Sequence, residues 1–269
     1  MKSLIVNADD FGFTRDVNQG IVEAHTRGIL TATTLMANGR AFDDAVTLAR
    51  AHPSLDIGCH LVLVGGDSLV TGEPLPSSVA GLLAALLARR LDPYRELHAQ
   101  VQKIAAAGLR PTHLDTHKHT HLFPPVLDAV ARLARECGIP WVRRPFDLPL
   151  AAGGVPFARR AVSFTLGALR RRFYRVLTEK GCRFTDHFAG FAVTGTFTAA
   201  DLAALIRALP EGSTEFMCHP GLLGDELRAA RTRLKESRAA ELEALTDPAV
   251  REALTAAGVR LATFGELES

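Results

Sequence analysis

The sequence predicts an α/β protein built on a parallel sheet, and three observations lead there. Short apolar, β-branched runs alternate with stretches of helical periodicity, the pattern of repeated strand–helix units that pair in parallel. Ionisable residues fall at or near the C-terminal ends of five of these runs, the edge at which open parallel sheets and barrels place their ligand sites. Neither G-x-G-x-x-G nor G-x-x-x-x-G-K-[ST] occurs, which removes the usual dinucleotide and nucleoside-triphosphate readings. Alternation by itself leaves open whether the sheet is doubly wound or closed into a barrel.

"SLIVNA" is the first strand. Thr14 caps a helix with Val17, Ile21 and Ala24 on its apolar face, and Gly28 stops it. "LTATTLM" is the second strand; Phe42, Ala45, Val46 and Ala49 have helical spacing, and "HPS" ends that helix. "DIGCHLVLV" is the third strand. Residues Gly65–Leu91 then break the alternation and are expected to form one insertion over an end of the sheet. "RPTHLDT" is the fourth strand, followed by the helix "PPVLDAVARLARECG", with prolines at its start and a glycine at its end. "IPWVRRP" is a short fifth strand; "STEFMCHPG" and "GVRLATF" are late strands, each after a helical stretch.

With 269 residues, 47% of them hydrophobic, one large core and a single domain over 1–269 are expected. A net charge of +2 argues against a nucleic-acid partner. The four cysteines contain no C-x-x-C pair, which excludes a zinc ribbon and fits a reducing compartment. "MKSLIVNADD" reaches two aspartates too early for a signal peptide. The longest apolar run, "VAGLLAALLA", is ten residues, too short to span a bilayer. A cytoplasmic protein is expected, and a homodimer is one allowed assembly. Residues 159–180 carry seven basic residues and one acid, with Val162, Leu166, Leu169, Phe173 and Val176 at helical spacing. This reads as a basic amphipathic helix that covers the core, with peripheral contact to an anionic membrane as the second reading.

The candidate site gathers Asp9 and Asp10, His60, Asp115 and His117, Arg143 and Arg144, and Cys218 and His219 from those five strand ends. In "THLDTHKHTH", four of ten residues are histidines: His113, His117, His119 and His121. A carboxylate with two imidazoles suits a catalytic divalent cation with open positions, and surplus histidines suit the orienting shell around it. A second carboxylate serves as general base and a further histidine as general acid, the parts of metal-assisted amide or ester hydrolysis. His117 and His121 are also four apart, a helical chelating spacing, but Pro124 and Pro125 favour an extended or irregular segment there.

In order along the chain, "NADDFG", "IGCHLVL", "THLDTHKHTH" and "EFMCHPG" resemble the YdjC-like carbohydrate deacetylases, also called the ChbG/HpnK family. The nearest family pattern is H-x-D-S-H, with Thr116 here in the serine position. The resemblance implies a distorted TIM-like (β/α) barrel and removal of the acetyl group from an N-acetylated sugar, either a chitooligosaccharide or an N-acetylglucosaminyl glycolipid such as a hopanoid. It implies that Asp10, His60 and His117 hold one divalent ion, Zn2+ or Mg2+. Asp9 is then the base that activates water, and His219 the acid that protonates the leaving amine. Arg143 or Arg144 holds Asp9 ionised, while Asp115, His119 and His121 bind substrate or support the ligands. Two rival readings are a metal-dependent phosphoesterase, which wants a second metal and more carboxylates, and a non-catalytic sugar-binding barrel, which has no use for a base.

Overall fold

The computed structural model describes residues 1–148 and 170–268. Its elements are β1 (Lys2–Phe11), α1 (Arg15–Arg27), β2 (Ala32–Leu35), α2 (Phe42–Ala51), β3 (Asp56–Leu61), α3 (Val79–Leu87), α4 (Pro93–Ala106), β4 (His113–Thr116), a 3₁₀ turn (His117–Leu122), α5 (Pro124–Glu136) and β5 (Trp141–Val142). After a helical stretch at 170–179, α6, come β6 (His187–Ala189), α7 (Ala199–Ala208), β7 (Gly212–Cys218), α8 (Asp225–Ala229), α9 (Glu236–Thr246), α10 (Pro248–Ala256) and β8 (Val259–Leu261).

The sheet runs β5-β4-β3-β2-β1-β7-β6, and among the described residues its strands pair in parallel throughout. Strand β1 lies between β2 and β7, and nine of its ten residues are buried. Burial on both faces explains why its sequence is a continuous apolar run with no alternation. Strand β8 pairs with Lys2–Leu4, while β2 takes Asn7–Phe11, so the two share one edge of β1. The sheet curls until its end strands approach. Trp141 and Arg183 form an isolated parallel bridge, and Leu148 N–H donates to the Phe188 carbonyl at 2.8 Å. A few bonds in place of a full ladder make this a distorted TIM-like barrel.

Local chemistry sets the element ends. The Thr14 hydroxyl accepts from the Val17 amide at 3.2 Å and starts α1. The third strand ends at Leu61, three residues short of the apolar run that predicts it. The Gln100 side chain takes both the Val62 N–H (2.8 Å) and its C=O (2.7 Å), replacing a neighbouring strand. The interruption after β3 contains α3 and is held from beneath by buried Glu96, which accepts from the Ser68 hydroxyl and the Leu69 amide. Strand β6 has three residues, too few to show periodicity in the sequence.

In the described half of the basic segment, Phe173, Val176 and Leu177 are buried while Arg170, Arg171, Arg172 and Arg175 are exposed. Its first half, 159–169, lies outside the described residues. No helix among the described residues is long and apolar enough to cross a membrane.

Candidate active site

A cleft of about 770 Å³ opens over Asp9 and Asp10 of β1, His117 and His119 after β4, Phe191 after β6 and His219 after β7. On β1, the pairing with β2 slips by one residue between Ala8 and Phe11. Asp10 within that bulge has φ 70°, and its carbonyl accepts from the Phe13 amide at 3.0 Å. A regular strand would send Asp9 and Asp10 to opposite faces; the bulge lets both serve one site. Lys118 and His119 are also left-handed, at φ 56° and 51°. Each such non-glycine residue costs about 1–2 kcal/mol, and here the strain gathers at the cleft.

Asp10 Oδ1 lies 3.3 Å from both His60 Nε2 and His117 Nδ1, and those nitrogens are 3.2 Å apart. Register explains half of this. His60 is the direct cross-strand partner of Asp115, so His60 Nδ1 donates to Asp115 Oδ1 at 2.8 Å and turns the Nε2 lone pair inward. Thr34 donates its hydroxyl to Asp115 Oδ2 at 3.1 Å. Burial opposes charge on His60, but Asp115, Asp10 and Asp9 together push its pKa up to about 10.

Asp10 Oδ1 is buried without a hydrogen bond, and two imidazole nitrogens face it. One carboxylate with two imidazoles is a donor set that zinc accepts and magnesium tolerates less readily. The residues present fit the group. A second cluster, Asp9, His60 and Asp115, also draws together, but Arg143 already occupies it.

Arg143 is 2% exposed. Its Nη2 and Nη1 donate to Asp9 at 2.7 and 2.8 Å, Nη1 also lies 2.6 Å from Asp115 Oδ2, and Nε donates to Glu215 at 2.7 Å. Burial works against charge on Asp9, but the guanidinium prevails and holds its carboxyl well below the usual range. Glu215 is raised to about 7, burial outweighing its share of Arg143. Arg144 is not brought to this cluster. It donates to the Asp186 carbonyl and lies over the Tyr174 ring at 5.1 Å. Of the two adjacent arginines, Arg143 alone meets Asp9.

His219 Nε2 is 3.8 Å from Asp9 Oδ2. Its amide donates to Glu241 Oε2 at 2.5 Å, and its Nδ1 has no partner. Burial lowers its pKa to about 4 despite Asp9 and Asp10. The preceding Cys218 is buried, its thiol 3.5 Å from the Asn7 carbonyl.

The other histidines divide by task. His121 lies between the Thr116 hydroxyl (2.5 Å) and the Arg143 carbonyl (3.1 Å), bracing β4 against β5. It does not share a cation with His117, because the segment is a kinked turn and not a helix. His119 lines the cleft between Phe188 and Phe191, with Nδ1 unpartnered. His113 lies deeper, bonded to Asn7 Oδ1 at 3.0 Å and stacked on Phe264 at 4.0 Å. Burial keeps all three rings neutral: it lowers His121 to about 3 and the other two well below the usual value.

Three contributors were not anticipated from the sequence. Glu215 is an isolated acid within an apolar strand, a signal that was legible. Arg238 and Glu241 sit in a charge-rich helix, α9, where nothing separates them from solvated neighbours. Arg238 donates to Asp10 Oδ2, and Glu241 holds the amides of His219 and Gly195.

The curled parallel barrel gathers carboxylates and imidazoles at its carboxyl rim, donors of the kind that could hold a metal ion. The chain belongs to the YdjC-like family, whose model matches residues 3–256. It is 35% identical to a carbohydrate deacetylase from Brevibacillus brevis, over 98% of this chain and 99% of that one. It is 34% identical to a carbohydrate deacetylase from Geobacillus stearothermophilus, over 97% and 96%. A crystal structure from Enterococcus faecalis, of a protein provisionally described as a cellobiose-phosphate cleavage protein, superposes with a TM-score of 0.76 at 26% identity. It covers 99% of this chain and 98% of its own.

Proposed function

We propose that this protein hydrolyses the acetamide of an N-acetylated sugar to acetate and a free amine. The observation that carries this reading is Asp9, held ionised by Arg143, beside the Asp10–His60–His117 cluster and 3.8 Å from His219. Two relatives named carbohydrate deacetylases, matched nearly end to end, support it. A divalent ion held by Asp10, His60 and His117 supplies Lewis-acid charge for the acyl oxygen. Asp9 accepts a proton from the attacking water as the new C–O bond forms. His219, neutral at rest and 3.8 Å from Asp9 on the neighbouring strand end, takes that proton from Asp9 and hands it to the sugar nitrogen as the C–N bond breaks. Arg143 keeps Asp9 deprotonated and fixed in direction, and His119 with Phe191 offers a polar and aromatic wall for the sugar.

The phosphoesterase reading needs a second cation. The only other described cluster is already filled by Arg143, so the geometry favours one ion and amide hydrolysis. The test is acetate release from a panel of N-acetylated sugars and glycolipids, with and without added Zn2+ or Mg2+. Phosphate release from phosphate esters with no acetate from any sugar would replace the reading.

His219→Ala separates the assigned roles. An amine leaves poorly unless protonated, whereas a nitrophenolate leaves without a proton. The variant is expected to lose more rate on sugar amides than on nitrophenyl acetate. Equal losses on both would make His219 a structural residue.

We favour a soluble sugar, because the described half of the basic helix buries its apolar stripe in the barrel. The wild-type protein is then expected not to sediment with anionic vesicles at low salt. Sedimentation abolished by glutamate at Arg170, Arg171 and Arg172 would move the substrate to a glycolipid at a membrane surface.

A further inference from the structure

We infer that Arg238 is a positioning residue that restricts Asp10 to ligation through one oxygen, an inference that rests on the deacetylase reading above. Arg238 comes from α9, 228 residues along the chain from Asp10, and is 1% exposed. Its Nη2 donates to Asp10 Oδ2, Nε to the Leu234 carbonyl at 3.3 Å, and the guanidinium faces the Phe13 ring at 5.9 Å. The other oxygen of Asp10, Oδ1, is the one between His60 and His117. The two oxygens thus have separate partners: one a cation already in place, the other the open cluster.

The surroundings hold this division. The Asp10 backbone is set by the bulge, and its carboxylate is held between Arg238 on one side and the His60 and His117 rings on the other. Arg238 is equally confined. The Gly221 amide donates to its carbonyl at 3.2 Å, and a Cβ at Gly221 would lie 3.2 Å from Arg238 Cδ. Glycine after "CHP" leaves room for this side chain.

Charge makes the inference testable. A fixed guanidinium beside a dication site weakens attraction for the ion through simple repulsion. A residue serving only to strengthen binding would not be cationic. What Arg238 secures is geometry: with Oδ2 engaged, Asp10 cannot chelate with both oxygens, and coordination positions stay free for water and the acyl oxygen. Removing Arg238 should therefore leave the ion bound at least as well and the site less active, the reverse of what loss of a structural brace would do.

The experiment uses the full-length protein stripped of metal and titrated with Co2+, whose visible band weakens as its coordination number rises. Arg238→Gln is expected to bind Co2+ no more weakly than wild type, with a weaker band as the second oxygen of Asp10 joins. Its kcat for acetate release should fall about 10–100-fold, with a smaller change in KM. Arg238→Lys, which retains the charge but offers a single donor point, should show a partial loss of the band and of kcat. It decides the matter if the glutamine variant does not fold. Co2+ affinity falling in step with kcat, or a wild-type spectrum in a folded variant of reduced kcat, overturns the inference. A wild-type protein that binds Co2+ and releases no acetate from any sugar would remove the deacetylase reading alone, since the spectral comparison does not depend on turnover.

Discussion

Asp9→Asn is expected to lower kcat by about 10²–10⁴, the usual cost of losing a positioned general base, while the protein stays folded and binds its divalent ion. Asp9 is not among the three side chains that converge on the cation position; those are Asp10, His60 and His117. Its oxygens instead accept from Arg143 and face His219. The amide retains one accepting oxygen, and Arg143 keeps Asp115 and Glu215 as partners, so the cluster survives. What is lost is the site that takes the water's proton. The measurement is steady-state acetate release beside a metal titration on the same preparation. Wild-type turnover in the variant would remove Asp9 from the chemistry. Loss of metal along with turnover would make it a ligand.

The second large effect is on stability. Arg143→Leu removes the guanidinium that joins Asp9, Asp115 and Glu215 and leaves these buried acids with only the His60 ring, on Asp115, as a positive partner. Removing one partner from a buried ionic cluster costs on the order of 3–5 kcal/mol, which for a chain of this length is a fall in Tm of roughly 10 °C. The sign of the pH dependence follows from proton binding. In the wild type, the depressed Asp9 contributes stability that is present above the ordinary carboxylate pKa of 3.8 and is lost as pH falls toward its lower folded value. Glu215 behaves oppositely: raised from 4.5 to about 7, it makes the folded state less stable as pH rises across that interval. Without Arg143, burial is no longer opposed at Asp9 and Glu215, the folded state binds more protons than the unfolded one, and acid restores stability. The Tm gap between variant and wild type should be widest near pH 8 and narrow toward pH 5. A gap that widens in acid, or no gap at pH 8, would show that Arg143 does not neutralise this cluster.

Much of the site's membership was legible because strand ends are local features. The apolar run before Asp9, the strand "DIGCHLVLV" around His60 and the short strand before Asp115 each announce where a side chain leaves the sheet. Parallel packing then sends all such ends to one rim. The alternation of strand and helix carried the fold class for the same reason: periodicity is written in neighbouring residues. The insertion after the third strand was legible as a break in that pattern.

Other features depend on atoms that only the folded chain brings together. Whether Arg143 or Arg144 turns toward Asp9 is set by the phase of a two-residue strand, too short to show a period. That His117 joins Asp10 and His60 while His119 and His121 turn elsewhere goes with positive φ at Lys118 and His119, which no spacing rule announces for non-glycine residues. The sequence by itself determined the parallel α/β class, the succession of its longer strands and helices and the ionisable groups at several strand ends, because these follow from short-range periodicity. Only the tertiary structure decided the partners within that set. Arg238 and Glu241 reach Asp10 and His219 by the packing of α9, across 228 and 22 residues of chain, and contacts of that kind are fixed by burial and hydrogen bonding in the assembled core, not by any local pattern.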